Sequence, residues 1–147
     1  MDGPIKTDHI QRAQSVDDYA QAIRLAAQPL LEKGYIQAQY IEEILISTKK
    51  NGPYIVVADY VALPHAQPSE LVLKTGLSLL LLNEPVDLEG NSIHVFIVLA
   101  AKDNHAHLDL LKSLALFLME KENIMTLISS KSVTEIQDVL KERWVIE

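Results

Sequence analysis

Apolar positions along the chain keep one of two periods, and the changes of period mark its elements. Tyr19, Ala22, Ile23, Ala26 and Leu30 recur every three or four residues, the spacing of one helix face. Ser15 before Val16-Asp17-Asp18 predicts an N-cap with acidic residues in the first turn. Pro29 falls late in this helix and kinks or ends it, whereas Leu30, Leu31 and the stop signal Gly34 predict a further turn. A second helix is predicted from about Gln37 to Thr48, with Tyr40, Ile41, Ile44 and Leu45 as its buried stripe and Lys49-Lys50-Asn51-Gly52 as its exit. Ahead of both, Met1 to Gln14 is polar, contains Gly3 and Pro4 and keeps no period, which predicts a loose lead-in or an edge element.

The middle of the chain reads as strands. Asn51-Gly52-Pro53 is turn chemistry, and Tyr54 to Ala58 is an apolar, β-branched run of strand length. After Asp59 and Tyr60 comes the short piece Val61-Ala62-Leu63, which Pro64 stops by withholding a ladder N–H. Gln67 to Glu70 reads as a turn. Thr75 to Leu82 and Ile93 to Ala100 are near-continuous apolar runs, as central strands covered on both faces require, with Pro85 to Asn91 as a polar connection. From about Asn104 the period becomes helical again, with Leu108, Leu111, Leu114, Ala115 and Leu118 on one face. Lys121 to Ser129 is a short helix, and Ser132-Val133-Thr134-Glu135 is a capping box opening a last helix through Leu140. There is no internal repeat or low-complexity tract. Helices before, between and after the strands predict an α/β fold: a single domain over residues 1–147, with a mixed central β-sheet and helices on both faces.

Composition narrows the function. A chain of 147 residues that is 48% hydrophobic suffices for one packed core. Thirteen basic against twenty acidic residues leave a net charge of -7, which disfavours nucleic acid and anionic membrane and permits a basic protein partner. The absence of cysteine excludes disulfide and thiol chemistry. No run of about 20 apolar residues predicts membrane insertion, so a cytosolic protein is expected.

Candidate chemistry centres on His65, which stands where a buried segment stops. Pro64 fixes one backbone angle and biases Leu63 to an extended conformation, while Ala66 adds no bulk, so the imidazole can be held with an open face. Alone, a histidine after Leu-Pro fits a structural role as well. However, Gly52 to Ala66, with its A-L-P-H-A, and the block A-A-K-D-N-H-A-H-L-D-L-L-K-S-L-A from Ala100 to Ala115 together resemble the IIA components of the phosphoenolpyruvate-dependent sugar phosphotransferase system. The mannitol/fructose type is the nearest branch, with features of its ascorbate-like group, and the resemblance covers nearly the whole chain. It implies that His65 carries a phosphoryl group and that His107 lies beside it and stabilises that group. It further implies acceptance from the phosphocarrier protein HPr, donation to a IIB component of a sugar permease for an ascorbate-like or pentitol substrate, and no cofactor and no metal. A neutral imidazole attacks the incoming phosphohistidine and later becomes the leaving group, so the demand is for in-line positioning and charge stabilisation.

Around that centre other residues divide. His107 lies at the start of a helix after a central strand, where free N–H groups also favour anions, or is simply a first-turn residue. Asp103 caps that helix or orients a ring. The chain departs from the family at Ser47, where many members have an arginine, and at Gln67-Pro68, where ascorbate-like members often have one; Lys49 or Lys50 substitutes as a point charge or is a solvated pair. His94, within a strand, reads as structural, and His9 lies in the polar lead-in without an evident partner. His105 points about 200° away from His107 on a helix and is left out of the site. His105-x-His107-x-Asp109 also has the opening spacing of a metal-dependent hydrolase, but Leu110 stands where that motif's next histidine falls. A regulatory IIA-like module phosphorylated on the same histidine is the remaining alternative.

Overall fold

The structure is a computed structural model that describes residues 2–144. Five strands form one sheet: β1 (Ile10–Ala13), β2 (Val56–Ala58), β3 (Val61–Ala62), β4 (Gly76–Leu88) and β5 (Asn91–Ala100), in the spatial order β1-β4-β5-β3-β2. The β1–β4 and β3–β5 pairs are parallel, and β4–β5 and β2–β3 are antiparallel, so the sheet is mixed as expected. Helices α1 (Tyr19–Glu32) and α2 (Ala38–Asn51) cover one face, burying Ile23, Leu30, Tyr40 and Ile44 against Leu80, Leu82, Phe96 and Val98. Helices α3 (Asn104–Leu118), α4 (Lys121–Ile128) and α5 (Val133–Arg143) cover the other, where Leu114, Phe117, Ile136 and Leu140 meet Leu79, Leu81, Val95 and Ile97. Alternate residues of β4 and β5 thus enter two different cores, which is why both strands read as continuous apolar runs. Among the described residues no helix is long and apolar enough to cross a membrane.

Several boundaries differ from expectation, each for a local reason. The cap of α1 is Asp18 rather than Ser15, its carboxylate accepting the Gln21 N–H at 2.8 Å. The further turn that Leu30, Leu31 and Gly34 predict does form, with Pro29 buried inside a helix that runs on to Glu32. The Leu25 carbonyl, which a residue with an N–H at position 29 would satisfy, instead accepts from the Gln11 side chain of β1 at 2.7 Å. The lead-in contributes an edge strand, β1, after a 3₁₀ turn at Thr7–His9. Strand β4 does not stop before Pro85 but runs to Leu88, because its register with β5 slips between Leu81 and Val86 and the irregularity accommodates the proline. The turn is then Glu89-Gly90, both in the left-handed region at φ 50° and 92°. Ser132 caps α5 as expected, but Glu135 accepts from the Lys131 N–H rather than from Ser132, and the helix continues to Arg143.

The topology itself sets two loops side by side. Strands β3 and β5 are parallel neighbours, so their C-terminal ends leave the same edge of the sheet, β3 into Leu63-Pro64-His65 and β5 into the start of α3. The Leu99 N–H donates to the Pro64 carbonyl at 3.1 Å and ties the two exits together.

Candidate functional site

His65 is held at its ring and along its backbone. Its Nδ1 lies 2.6 Å from the Leu63 carbonyl, and because a carbonyl only accepts, Nδ1 carries the proton and donates. The other ring nitrogen, Nε2, therefore keeps its lone pair. Burial pushes the imidazole below the ordinary histidine pKa, the hydrogen bond to Leu63 opposing in part, and the ring is neutral at neutral pH. A neutral imidazole with one nitrogen fixed as donor and the other free is a nucleophile in its reactive tautomer.

His107 meets this ring from the first turn of α3. The two centroids are 5.4 Å apart with the planes at 60°. Its pKa is also lowered, first by burial and then by repulsion from charge on His65. Its Nδ1 is buried and has no hydrogen-bond partner among the described residues. Asp103 is the N-cap of α3, accepting the Ala106 N–H at 2.8 Å, and makes no hydrogen bond to either ring among the described residues. It therefore acts on the site by fixing the turn that presents His107.

Two tyrosines complete the site, and neither was singled out from sequence for it. The Tyr54 hydroxyl donates to the His65 carbonyl at 2.6 Å, and its ring stands edge-on to the imidazole at 5.3 Å. The Tyr40 hydroxyl accepts the Ala66 N–H at 3.2 Å and donates to the Leu99 carbonyl at 2.9 Å. Tyr40 reads in the sequence as helix-stripe core and Tyr54 as the first residue of a strand, and both descriptions account for a ring but not for its hydroxyl. For Tyr40 the usable signal was the phenol itself, since a buried tyrosine needs a partner, whereas the partly exposed Tyr54 carries no such signal.

The remaining candidates lie elsewhere. Lys49 and Lys50 are exposed in the last turn of α2 and make no hydrogen bond or ion pair with the site among the described residues, while Ser47 accepts from Asn51 at 3.1 Å. His105 pairs with Asp109 at 3.3 Å on the exposed side of α3, so the His105-x-His107-x-Asp109 run is split, His107 turning toward His65. Among the described residues no three metal-ligating side chains converge. His94 bonds the Leu82 carbonyl at 2.9 Å and stands edge-on to Tyr60. His9, for which the sequence offers no evident partner, is buried, with Nδ1 at 3.1 Å from the Leu77 carbonyl and its ring edge-on to Tyr35.

Comparison with known proteins matches residues 4–143 to the family model described as "Phosphoenolpyruvate-dependent sugar phosphotransferase system, EIIA 2". The mannitol-specific cryptic phosphotransferase enzyme IIA component of Escherichia coli strain K12 is 38% identical over 128 residues, 86% of this chain and 87% of that protein. The ascorbate-specific EIIA component of Mycoplasma pneumoniae is 37% identical over 106 residues, 70% of this chain and 67% of its own. Among solved structures, the mannitol enzyme IIA of Escherichia coli in complex with phosphorylated mannitol enzyme IIB superposes with a TM-score of 0.82 at 25% identity, over 95% of this chain and 98% of that one.

Proposed function

The chain belongs to the EIIA 2 family of the phosphoenolpyruvate-dependent sugar phosphotransferase system, and on that premise we propose that Nε2 of His65 is the atom that carries the phosphoryl group. As a IIA component the protein is a phosphocarrier, phosphorylated by HPr and passing phosphate to a IIB component. The observation that supports His65 is its fixed tautomer: with Nδ1–H committed to the Leu63 carbonyl, only Nε2 presents a lone pair. In the first half-reaction this lone pair attacks phosphorus, the P–N bond to the HPr histidine breaks, and that histidine leaves with the electron pair. In the second, a nucleophile on IIB attacks the same phosphorus and the His65 imidazole leaves. Neither half needs a proton removed from His65, so in-line positioning and charge stabilisation carry the catalysis.

His107 supplies the charge stabilisation in this proposal. Its buried Nδ1 has no partner among the described residues, and a phosphoryl oxygen on His65 would give it one. We place the carrier in the cytosol and its transport system among those for compounds of the mannitol and ascorbate kind, for which the relatives are named. The test is incubation with phosphoenolpyruvate, enzyme I and HPr followed by mass measurement. One acid-labile, base-stable phosphoryl group is expected, and none on His65→Ala with its fold unchanged by circular dichroism. Undiminished labelling of that variant would remove His65 from the mechanism, and failure of onward transfer to a IIB protein would favour a regulatory module.

A further inference from the structure

The peptide unit that follows His65 is gripped at both of its polar ends by phenols. Its carbonyl, the His65 C=O, accepts from Tyr54 at 2.6 Å, and its N–H, that of Ala66, donates to Tyr40 at 3.2 Å. Both tyrosines belong to one structural unit. Tyr40 lies in the first turn of α2, and Tyr54 follows the C-terminus of the same helix after the reversal at Gly52, whose φ of 77° suits glycine. The anchors differ in kind. Tyr40 is 0% exposed, its phenol pKa is pushed up to about 12 mainly by burial, and its proton continues to the Leu99 carbonyl at the end of β5. Tyr54 is 38% exposed, with its ring against the imidazole.

From this arrangement we infer that Tyr40 and Tyr54 are positioning residues of the phosphoryl transfer, acting through the His65–Ala66 peptide rather than on the phosphoryl group. The inference rests on His65 being the phosphoryl carrier. The hydrogen bond from His65 Nδ1 to Leu63 exists only while the ring folds back over its own preceding residue, which fixes both tautomer and direction. That fold requires the backbone on each side of His65 to stay still. On the N-terminal side the Pro64 ring and the Leu99 N–H to Pro64 carbonyl bond hold it. On the C-terminal side no strand or helix continues, and the two phenols replace one. Without them the peptide is free to rotate, the Leu63 bond loosens, and the imidazole populates the tautomer protonated at Nε2, which has no lone pair where phosphorus arrives.

The grip also reserves donors. Because the Ala66 N–H is already used by Tyr40, it is not among the groups that receive phosphoryl oxygens.

Tyr54→Phe is the discriminating variant, since it keeps the ring against His65 and removes only the hydroxyl from a partly exposed position. Two quantities are read: the His65 tautomer from imidazole ¹⁵N shifts without any phosphoryl donor, and single-turnover transfer from phosphorylated HPr. A smaller fraction protonated at Nδ1 and transfer slower by about 3- to 10-fold are expected, with the melting temperature and the apparent affinity for phosphorylated HPr unchanged. Tyr40→Phe should lower both readouts further and, because it strands the buried Leu99 carbonyl, also the melting temperature. An unchanged tautomer in Tyr54→Phe overturns the inference even if transfer slows, because the hydroxyl then acts on the partner. A shifted tautomer with wild-type transfer overturns it equally. Wild-type protein that takes no phosphoryl group on His65 instead removes the functional premise, which the tautomer measurement does not depend on.

Discussion

The buried Nδ1 of His107 has no hydrogen-bond partner among the described residues, and a phosphoryl oxygen arriving on His65 would offer it one. Burial and the neighbouring His65 hold His107 neutral in the free protein, whereas a doubly charged phosphoryl group beside it favours the protonated, doubly donating form. The resulting charge-assisted bond is worth roughly 1.5–3 kcal/mol, so His107→Ala should slow single-turnover transfer from phosphorylated HPr by about 10- to 150-fold. His107→Gln should regain part of the rate, since an amide still donates, and His105→Ala should change little because its ring is committed to Asp109 on the outer side of α3. Equal rates for wild type and His107→Ala would reduce His107 to a helix-start residue and send attention to the His65 N–H, which has no partner among the described residues. His65 and His107 were legible as positions, because proline, a small neighbour and a helix start leave marks in residue type, but those marks fit a structural role as well, and the phosphoryl role came only from the family resemblance of the two blocks that hold them. The two phenols were not, because a tyrosine that packs its ring and bonds through its hydroxyl looks the same in one dimension as one that only packs.

Helix α3 starts where it does because Asp103 accepts the Ala106 N–H, and His107 sits in the turn this cap closes. Asp103→Ala should therefore lower stability by about 0.5–2 kcal/mol in urea unfolding and slow transfer as the first turn frays, while Asp103→Asn, a cap of equal quality, should preserve both. Transfer as slow in Asp103→Asn as in Asp103→Ala would mean that the charge acts on a ring instead of the side chain acting as a cap. Most elements could be read from the sequence because their faces are set by local periodicity, as in α2 and in the apolar runs of β4 and β5. What escaped was decided between elements. Ser15 and Asp18 both suit a cap by residue type, and in the structure Asp18 is the one that caps α1. Pro29 leaves the Leu25 carbonyl to the Gln11 side chain of β1, and Pro85 lies where the β4–β5 register slips. A proline is a stop signal to a local reading, and in both places a neighbouring element accommodates it.

Across the whole molecule, three of the five histidines, His9, His65 and His107, are held below their ordinary pKa, in each case first by burial. His9 is the most enclosed at 2% exposure, and its surroundings pull in both directions: the Leu77 carbonyl and Asp8 favour the charged form, Lys33 and Lys6 oppose it, and the Tyr35 ring excludes water beside it. The sign of the linkage follows. A histidine in the unfolded chain binds its proton below about pH 6.5, whereas these three resist protonation until lower pH, so between the two values the unfolded state holds more protons and stability falls as pH falls. Carboxylates that ion pairs hold below their ordinary pKa, such as Asp8 with Lys33 and Glu42 with Arg24, withdraw their contribution only at the lower pH where carboxylates titrate, which separates the two windows. Urea unfolding across pH 5 to 8 should accordingly show stability flat above about pH 7 and declining below about pH 6.5, by up to about 1.4 kcal/mol per pH unit for each histidine that stays neutral in the fold. His9→Asn, whose amide can still donate to the Leu77 carbonyl, should flatten this decline without affecting phosphorylation of His65, because His9 packs against Tyr35 rather than against the His65–His107 pair. A decline equally steep in His9→Asn would assign the acid sensitivity to His65 and His107 alone, and phosphorylating the protein before the titration should then reverse its sign, since a phosphoryl group beside His107 favours the protonated ring.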